Sequence, residues 1–247
     1  MIRIREQALP ANGTVHIWSL SLDDPALDLP GLLSDDEITR FSSISHPKAR
    51  LRFFRTRCAL RLILASYVRR PPSELTFIPG ENGKPELPTG APRLRFNLSH
   101  SGYCFLLSVV AEYDIGIDIE QIHANRDYAA LARRFFTAEE SLLIDSCDND
   151  SLFYRMWVLK EAAVKARGMK LLAGLDRFEC LQSEDGDLTI RDKLEHADDN
   201  DWSIRQWLVD ERFVAAVMVR GAEAEFINKT LTNTRETPVF SSRRGMQ

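Results

Sequence analysis

A chain of 247 residues with 44% apolar composition can bury one large core, or two small ones sharing an interface, without disulfide or metal staples. Its formal net charge of -4 argues against a general nucleic-acid binder. Four scattered cysteines, Cys58, Cys104, Cys147 and Cys180, form no C-x-x-C pair, so they signal neither a zinc site nor a disulfide framework and fit a reduced, cytoplasmic setting.

The opening Ile2-Arg3-Ile4-Arg5 alternates and lacks the apolar stretch of a secretion signal, and no run is long enough to cross a bilayer, so neither export nor a membrane partner is expected. Val15 to Leu22 reads as a short strand. Ser34, three residues before Glu37, forms a capping box that starts a helix. A long helix is expected after Pro47, with Leu51, Phe54, Cys58, Leu62 and Ala65 as one buried stripe beneath an arginine-rich face. From Phe41 to Arg70 there are eight Lys or Arg residues and no Asp or Glu, so something anionic could meet this segment.

Pro79 to Pro85 is turn-rich and breaks the chain. Arg95 to Asn97, Tyr103 to Ala111 and Asp114 to Glu120 read as strands, the last two joined by a turn near Glu112. Ser151 to Arg167 is a second strong helix ended by Gly168, and Trp202 to Leu208 with Phe213 to Val219 resembles a closing hairpin. Ser183 to Asp201 is expected as a surface loop and Asn228 to Gln247 as a tail. The fold class is therefore α/β (α+β): two similar halves, each a small sheet on a long helix, over residues 1–110 and 111–227, with 228–247 as a flexible tail.

Three segments carry chemistry. In Gly116-Ile117-Asp118-Ile119-Glu120 a strand buries the isoleucines and aligns both carboxylates on the other face, roughly 6 to 7 Å apart. Their repulsion, about 2 to 3 kcal/mol at an effective dielectric of about 20, is relieved by a divalent cation, while the plainer reading is a solvated strand face. Gly116 suits close approach of a ligand, or a bulge. On the second helix Trp157, Glu161 and Lys165 share a face at one-turn spacing, either as a surface Glu–Lys pair or as charges beside a buried aromatic. Ser99 and His100, in Phe96-Asn97-Leu98-Ser99-His100-Ser101, stand where a strand meets a turn, but as adjacent strand residues they are not a nucleophile–base pair.

Together with Gly83-Lys84-Pro85, Arg134-Phe135-Phe136-x-x-x-Glu140 and Trp157-x-x-Lys160-Glu161-Ala162-x-x-Lys165, these motifs resemble the 4′-phosphopantetheinyl transferase family, in its larger, two-halved type that activates the surfactin synthetase. The resemblance runs nearly continuously from Leu33 to Gly174. It implies transfer of the 4′-phosphopantetheine group of coenzyme A to a serine of an apo acyl or peptidyl carrier protein by a magnesium-dependent monomer, with the active site between the halves. By the same resemblance Asp118, Glu120 and Glu161 hold magnesium, and Lys165 neutralises the diphosphate. Glu161, one turn before Lys165, is expected also to receive the serine proton, the alternative being that it is a metal ligand only. Arg52 and His100 contact the 3′-phosphate, Arg40 stands where a basic residue is expected, and Lys84 and Ser99 lie nearer the nucleotide and pantetheine arm. Arg57 and Arg61 are left as cover for the helix by their aliphatic stems. The alternatives are a metal-dependent nucleotide diphosphate hydrolase and a non-catalytic carrier-binding domain.

Overall fold

The computed structural model describes residues 4–88, 93–123, 127–146, 150–170, 174–195, 202–221 and 223–231. In chain order these form β1 (Thr14–Ser21), α1 (Asp35–Ser43), α2 (Pro47–Val68), β2 (Ile78–Pro79), β3 (Pro85–Glu86), β4 (Leu94–Ser101), β5 (Cys104–Ala111) and β6 (Ile115–Gln121). Then follow α3 (Tyr128–Phe135), α4 (Ala138–Asp145), α5 (Ser151–Ala166), β7 (Phe178–Gln182), β8 (Leu188–Asp192), β9 (Trp202–Val209), β10 (Phe213–Arg220) and β11 (Glu225–Thr230). No described helix is long and apolar enough to cross a membrane.

The mixed α+β class is as expected, and the two main sheets share a wiring. In the first, ordered β11-β1-β5-β4, strand β1 pairs antiparallel with β5, the second strand of the β4–β5 hairpin. In the second, ordered β6-β10-β9, strand β6 pairs antiparallel with β10, the second strand of the β9–β10 hairpin. Each lone strand is separated from its hairpin by the long helix that covers one face. Leu60, Ile63 and Leu64 of α2 pack with Trp18, Phe105 and Leu107, while Met156, Leu159 and Ala163 of α5 pack with Val214, Ala216 and Met218. The remaining faces meet through Val15, Ile17 and Leu106 on one side and Ile115, Ile117, Ile119 and Val217 on the other. Period-two burial thus gives each sheet a helix on one face and the other sheet on its second.

Several expectations are corrected. Cys58 and Ala65 of the expected stripe are buried and Phe54 and Leu62 half-buried, but the buried face of α2 is centred on Leu60, Ile63, Leu64 and Tyr67, and Leu51 is 43% exposed. Three of its arginines are not part of a free basic face. Arg61, 1% exposed, donates to Glu37 at 2.7 Å and to the Pro72 and Leu75 carbonyls, and Arg57 also pairs with Glu37. Arg55 forks onto Asp28 at 2.8 and 2.9 Å. The neutralising acids come from outside the segment, so its local charge overstated what is left for a ligand. Burial opposes ionisation of Glu37, but hydrogen bonds from Arg61, Ser34 and Arg57 outweigh it and hold its carboxyl below the usual range. Ser183 to Asp201 is no plain loop either: Leu188, Ile190 and Asp192 are buried in the β7–β8 hairpin, while 196–201 lies outside the described residues. Asn228 to Thr230, placed in the tail, instead ends β11, which runs parallel to β1; 232–247 lies outside the described residues.

Under the first sheet, Trp18 donates to the Tyr67 hydroxyl at 2.8 Å, and the same hydroxyl is hydrogen-bonded to His16 Nδ1, also at 2.8 Å. Burial, then the charge of Lys229, pushes the His16 imidazole down to about 4. The unfolded chain therefore binds the proton more tightly between pH about 4 and 6.5, so stability rises with pH through that window and is lost as pH falls. We expect acidification across it to cost about 2 to 3 kcal/mol through His16 alone. Urea unfolding of His16→Gln beside the parent, from pH 4 to 7, measures this, and equal slopes would contradict it.

Candidate active site

Gly116 decides where the site forms. An added Cβ there would lie 1.9 Å from the Ala162 carbonyl oxygen and 2.6 Å from the Ala166 nitrogen, both backbone atoms of α5. The missing side chain admits a helix, not the ligand expected from sequence. With α5 seated directly on β6, Glu161 and Lys165 come against Asp118, and Glu120 follows two residues along the strand. Further along α5, Trp157 packs at 5.6 Å from both Phe135 and Phe153, so this helix face runs from an aromatic cluster to the charged one.

Asp118, Glu120 and Glu161 each bring one carboxylate oxygen within 4.8 Å of the others. Asp118 is 1% and Glu161 6% exposed, which removes the solvated-face reading. Asp118 Oδ1 accepts from Ser99 Oγ at 2.7 Å and from Lys165 Nζ, whereas the buried Oδ2 accepts no hydrogen bond from a cation or hydroxyl among the described residues. Lys165 Nζ also donates to Ser99 Oγ at 3.2 Å and lies 3.6 Å from Glu161 Oε2. Burial, then the Asp118 charge, pushes the Glu161 carboxyl up to about 8, and the same two causes raise Glu120. Burial works against the Lys165 ammonium, but Asp118 and Glu161 reverse that and raise it. Like charges at this separation repel by about 3 kcal/mol per pair at an effective dielectric of about 20. Three carboxylates against one ammonium leave an excess of negative charge and an orphaned oxygen. A divalent cation with a preference for oxygen, such as magnesium, fits both.

Lys165 also lines a cleft of about 590 Å³ whose walls include Arg40, Phe53, Arg57, Lys84, Phe96 and Met169. Arg40, itself exposed, stacks over Phe53 at 5.8 Å. Lys84 donates to the Ile115 and Lys165 carbonyls, both at 3.0 Å, so it ties its loop to the end of α5 as well as facing the cleft. Its burial brings the ammonium down to about 8. His100 sits at the exposed end of β4. Crowding by neighbouring atoms, then the charges of Arg52 and Lys165, hold its imidazole below the ordinary value, which marks Arg52 as a close electrostatic neighbour. Neither His100 nor Arg52 lines the cleft wall. Ser99 is engaged with Asp118 and Lys165, on the carboxylate side.

Two residues of the Phe96 to Ser101 motif gain positions that the sequence reading left open. Asn97 Oδ1 accepts the Ile117 N–H at 2.9 Å, and Ser101 Oγ donates to Glu120 at 3.0 Å. Asn97, Ser99 and Ser101, alternate residues of β4, thus join its edge to the edge of β6 by side chains where no backbone ladder runs. Their period of two was the available signal. Other motif residues prove architectural: Lys160, 0% exposed, pairs with Glu140 at 2.6 Å, and Glu140 also takes the Cys180 N–H and closes a capping box on Thr137. Phe136 stacks on Phe153.

The family model described as the 4′-phosphopantetheinyl transferase superfamily matches residues 114–218. The chain is 36% identical over 215 residues to 4′-phosphopantetheinyl transferase HetI of Nostoc sp., covering 84% of this chain and 88% of that protein. It is 31% identical over 191 residues to 4′-phosphopantetheinyl transferase Sfp of Bacillus subtilis, covering 71% and 80%. A solved holo-(acyl-carrier-protein) synthase from Bacillus anthracis, in complex with CoA (3′,5′-ADP), aligns with 44% of this chain and 96% of its own at 22% identity and a TM-score of 0.35.

Proposed function

The chain belongs to the 4′-phosphopantetheinyl transferase superfamily, and on that premise we propose that it moves the 4′-phosphopantetheine group of coenzyme A onto a serine of an apo acyl or peptidyl carrier protein. The observation that carries this reading is the meeting of Asp118, Glu120, Glu161 and Lys165 beside a cleft lined by Arg40 and Lys84. A diphosphate is a hard, doubly charged oxygen donor, and such a set of carboxylates and cations suits it when a magnesium ion is shared between them.

Asp118, Glu120 and Glu161 would hold that ion. When bound it would supply charge neutralisation at the diphosphate. Lys165, beside Asp118 and Glu161, would pair with the phosphate oxygens. The serine Oγ forms a bond to the phosphorus bearing the pantetheine arm as the bond between that phosphorus and the bridging oxygen breaks. The departing group is 3′,5′-ADP, and the serine proton goes to Glu161, whose carboxylate a bound cation would keep ionised. No protein nucleophile is required, since phosphoryl transfer depends mainly on positioning and electrostatics. Arg52 and His100 are assigned to the 3′-phosphate, and Lys84 and Ser99 to the nucleotide and the arm. By the family resemblance we read it as acting as a monomer, and by its scattered cysteines as working in the cytoplasm, with neither nucleic acid nor membrane in the scheme.

Incubation with coenzyme A, magnesium and a panel of apo-carriers, read by mass spectrometry, should add the phosphopantetheine mass to carrier serines. Coenzyme A cleaved at the same rate without any carrier would replace transfer with hydrolysis. Dephospho-coenzyme A should be poorer by roughly tenfold to a hundredfold in kcat/KM, the effect of one charge-assisted hydrogen bond. Equal values would remove Arg52 and His100 from the 3′-phosphate.

A further inference from the structure

We propose that Ser101 is a positioning residue for the metal-holding carboxylates, fixing Glu120 against its neighbours and tying it to the frame of β6. The inference rests on the reading above, in which Asp118, Glu120 and Glu161 hold a divalent cation. Ser101 Oγ donates to Glu120 Oε2 at 3.0 Å and accepts the Gln121 N–H at 3.0 Å. A hydroxyl has one proton to give, and here it goes to the carboxylate while a lone pair holds the adjoining peptide. Ser101 is the side-chain hydrogen-bond donor to the Glu120 carboxylate, which the backbone N–H of Gln121 also stabilises.

The need for such a tether follows from charge. Glu120 is half-buried, and Asp118 and Glu161 both repel it. Rotation of its two-carbon arm toward water would relieve the repulsion at the cost of the three-carboxylate arrangement. Ser99 plays the corresponding part for Asp118, and Asn97 anchors the β6 backbone at Ile117. Ser101 is the last of these alternating side chains and lies at the end of β4. Its own position is set by the turn that follows. Gly102 has φ +54°, and a Cβ there would meet Gln121 Oε1 at 2.8 Å and the Phe213 ring at 3.1 Å, so the turn is packed closely on the end of β6 and β10. A backbone this confined presents the Ser101 hydroxyl to Glu120 from a fixed point, which is what holding a ligand in place requires.

The test is Mn²⁺ binding followed by the free-ion electron paramagnetic resonance signal, with and without coenzyme A and corrected for Mn²⁺ bound by coenzyme A alone. Ser101→Ala should raise the Mn²⁺ dissociation constant by about tenfold to a hundredfold, the usual effect of removing a partner behind a metal ligand. Its lost turnover should return as the metal concentration is raised. Ser101→Thr, which keeps the hydroxyl, should restore affinity, and Ser101→Cys should fall between. Ser108→Ala is the structural control, because the buried Ser108 donates to the Asn97 carbonyl at 3.2 Å and is hydrogen-bonded to no carboxylate among the described residues. It should lower the thermal midpoint without moving Mn²⁺ affinity. Parent-like affinity in Ser101→Ala would overturn the proposal, as would an equal loss in Ser108→Ala. Mn²⁺ binding that is unchanged by Asp118→Ala would instead overturn the metal assignment itself.

Discussion

Glu161→Gln is expected to lower turnover by about 10² to 10⁴ while coenzyme A binding survives with a modest loss. The amide keeps a neutral oxygen for a cation but is a far poorer proton acceptor. Glu161 is held on α5 one turn before Lys165, with its Oε2 3.6 Å from the ammonium, so the substitution changes charge and basicity without changing shape. Asp118→Ala should behave differently. Removing the most buried of the three carboxylates should shift the magnesium concentration needed for half activity upward. Single-turnover rates at saturating magnesium, beside calorimetric binding of coenzyme A, separate the two effects. Near-parental turnover by Glu161→Gln would reduce Glu161 to a ligand and transfer the proton to water or another group.

Gly116→Ala should be the most damaging Gly→Ala change among the described residues. Contacts of 1.9 and 2.6 Å to α5 backbone atoms cannot be relieved by turning a side chain, so the helix must move away from β6. Overpacking of this kind costs roughly 3 kcal/mol or more. The functional loss should exceed the stability loss, because α5 carries Glu161 and Lys165 while β6 carries Asp118 and Glu120. A separation of about 1 Å between two halves of one site can cost about 10² in rate. Urea unfolding and metal titration of the folded fraction measure the two parts. A variant with parental stability and parental metal dependence would show that α5 does not rest on Gly116 as described.

Much of this chain was legible before folding because its signals are local. The Ser34–Glu37 capping box, the α5 helix and its stop at Gly168, the β9–β10 hairpin and the alternation through β6 all depend on residues within a few positions of one another. Placing the carboxylates of Asp118 and Glu120 on one strand face, and Glu161 and Lys165 one turn apart, needed only the periods of strand and helix. Tertiary structure alone decided what each charge meets. Arg61 and Arg57 read as surface residues because their partner, Glu37, arrives from another helix, and Lys160 is neutralised by Glu140 from twenty positions away. The buried face of α2 was only partly placed for the same reason: Cys58 and Ala65 are inside, but arginines that find acids can go inside too and shift the stripe. Gly116 announced a close approach, but whether ligand or helix fills the space depends on the packing of α5. Likewise Asn97 and Ser101 look like ordinary polar strand residues until two sheet edges meet. Sequence carries the periodicity of each element, while the sign and distance of charges across elements exist only once the chain is packed, and in this protein those distances make the site.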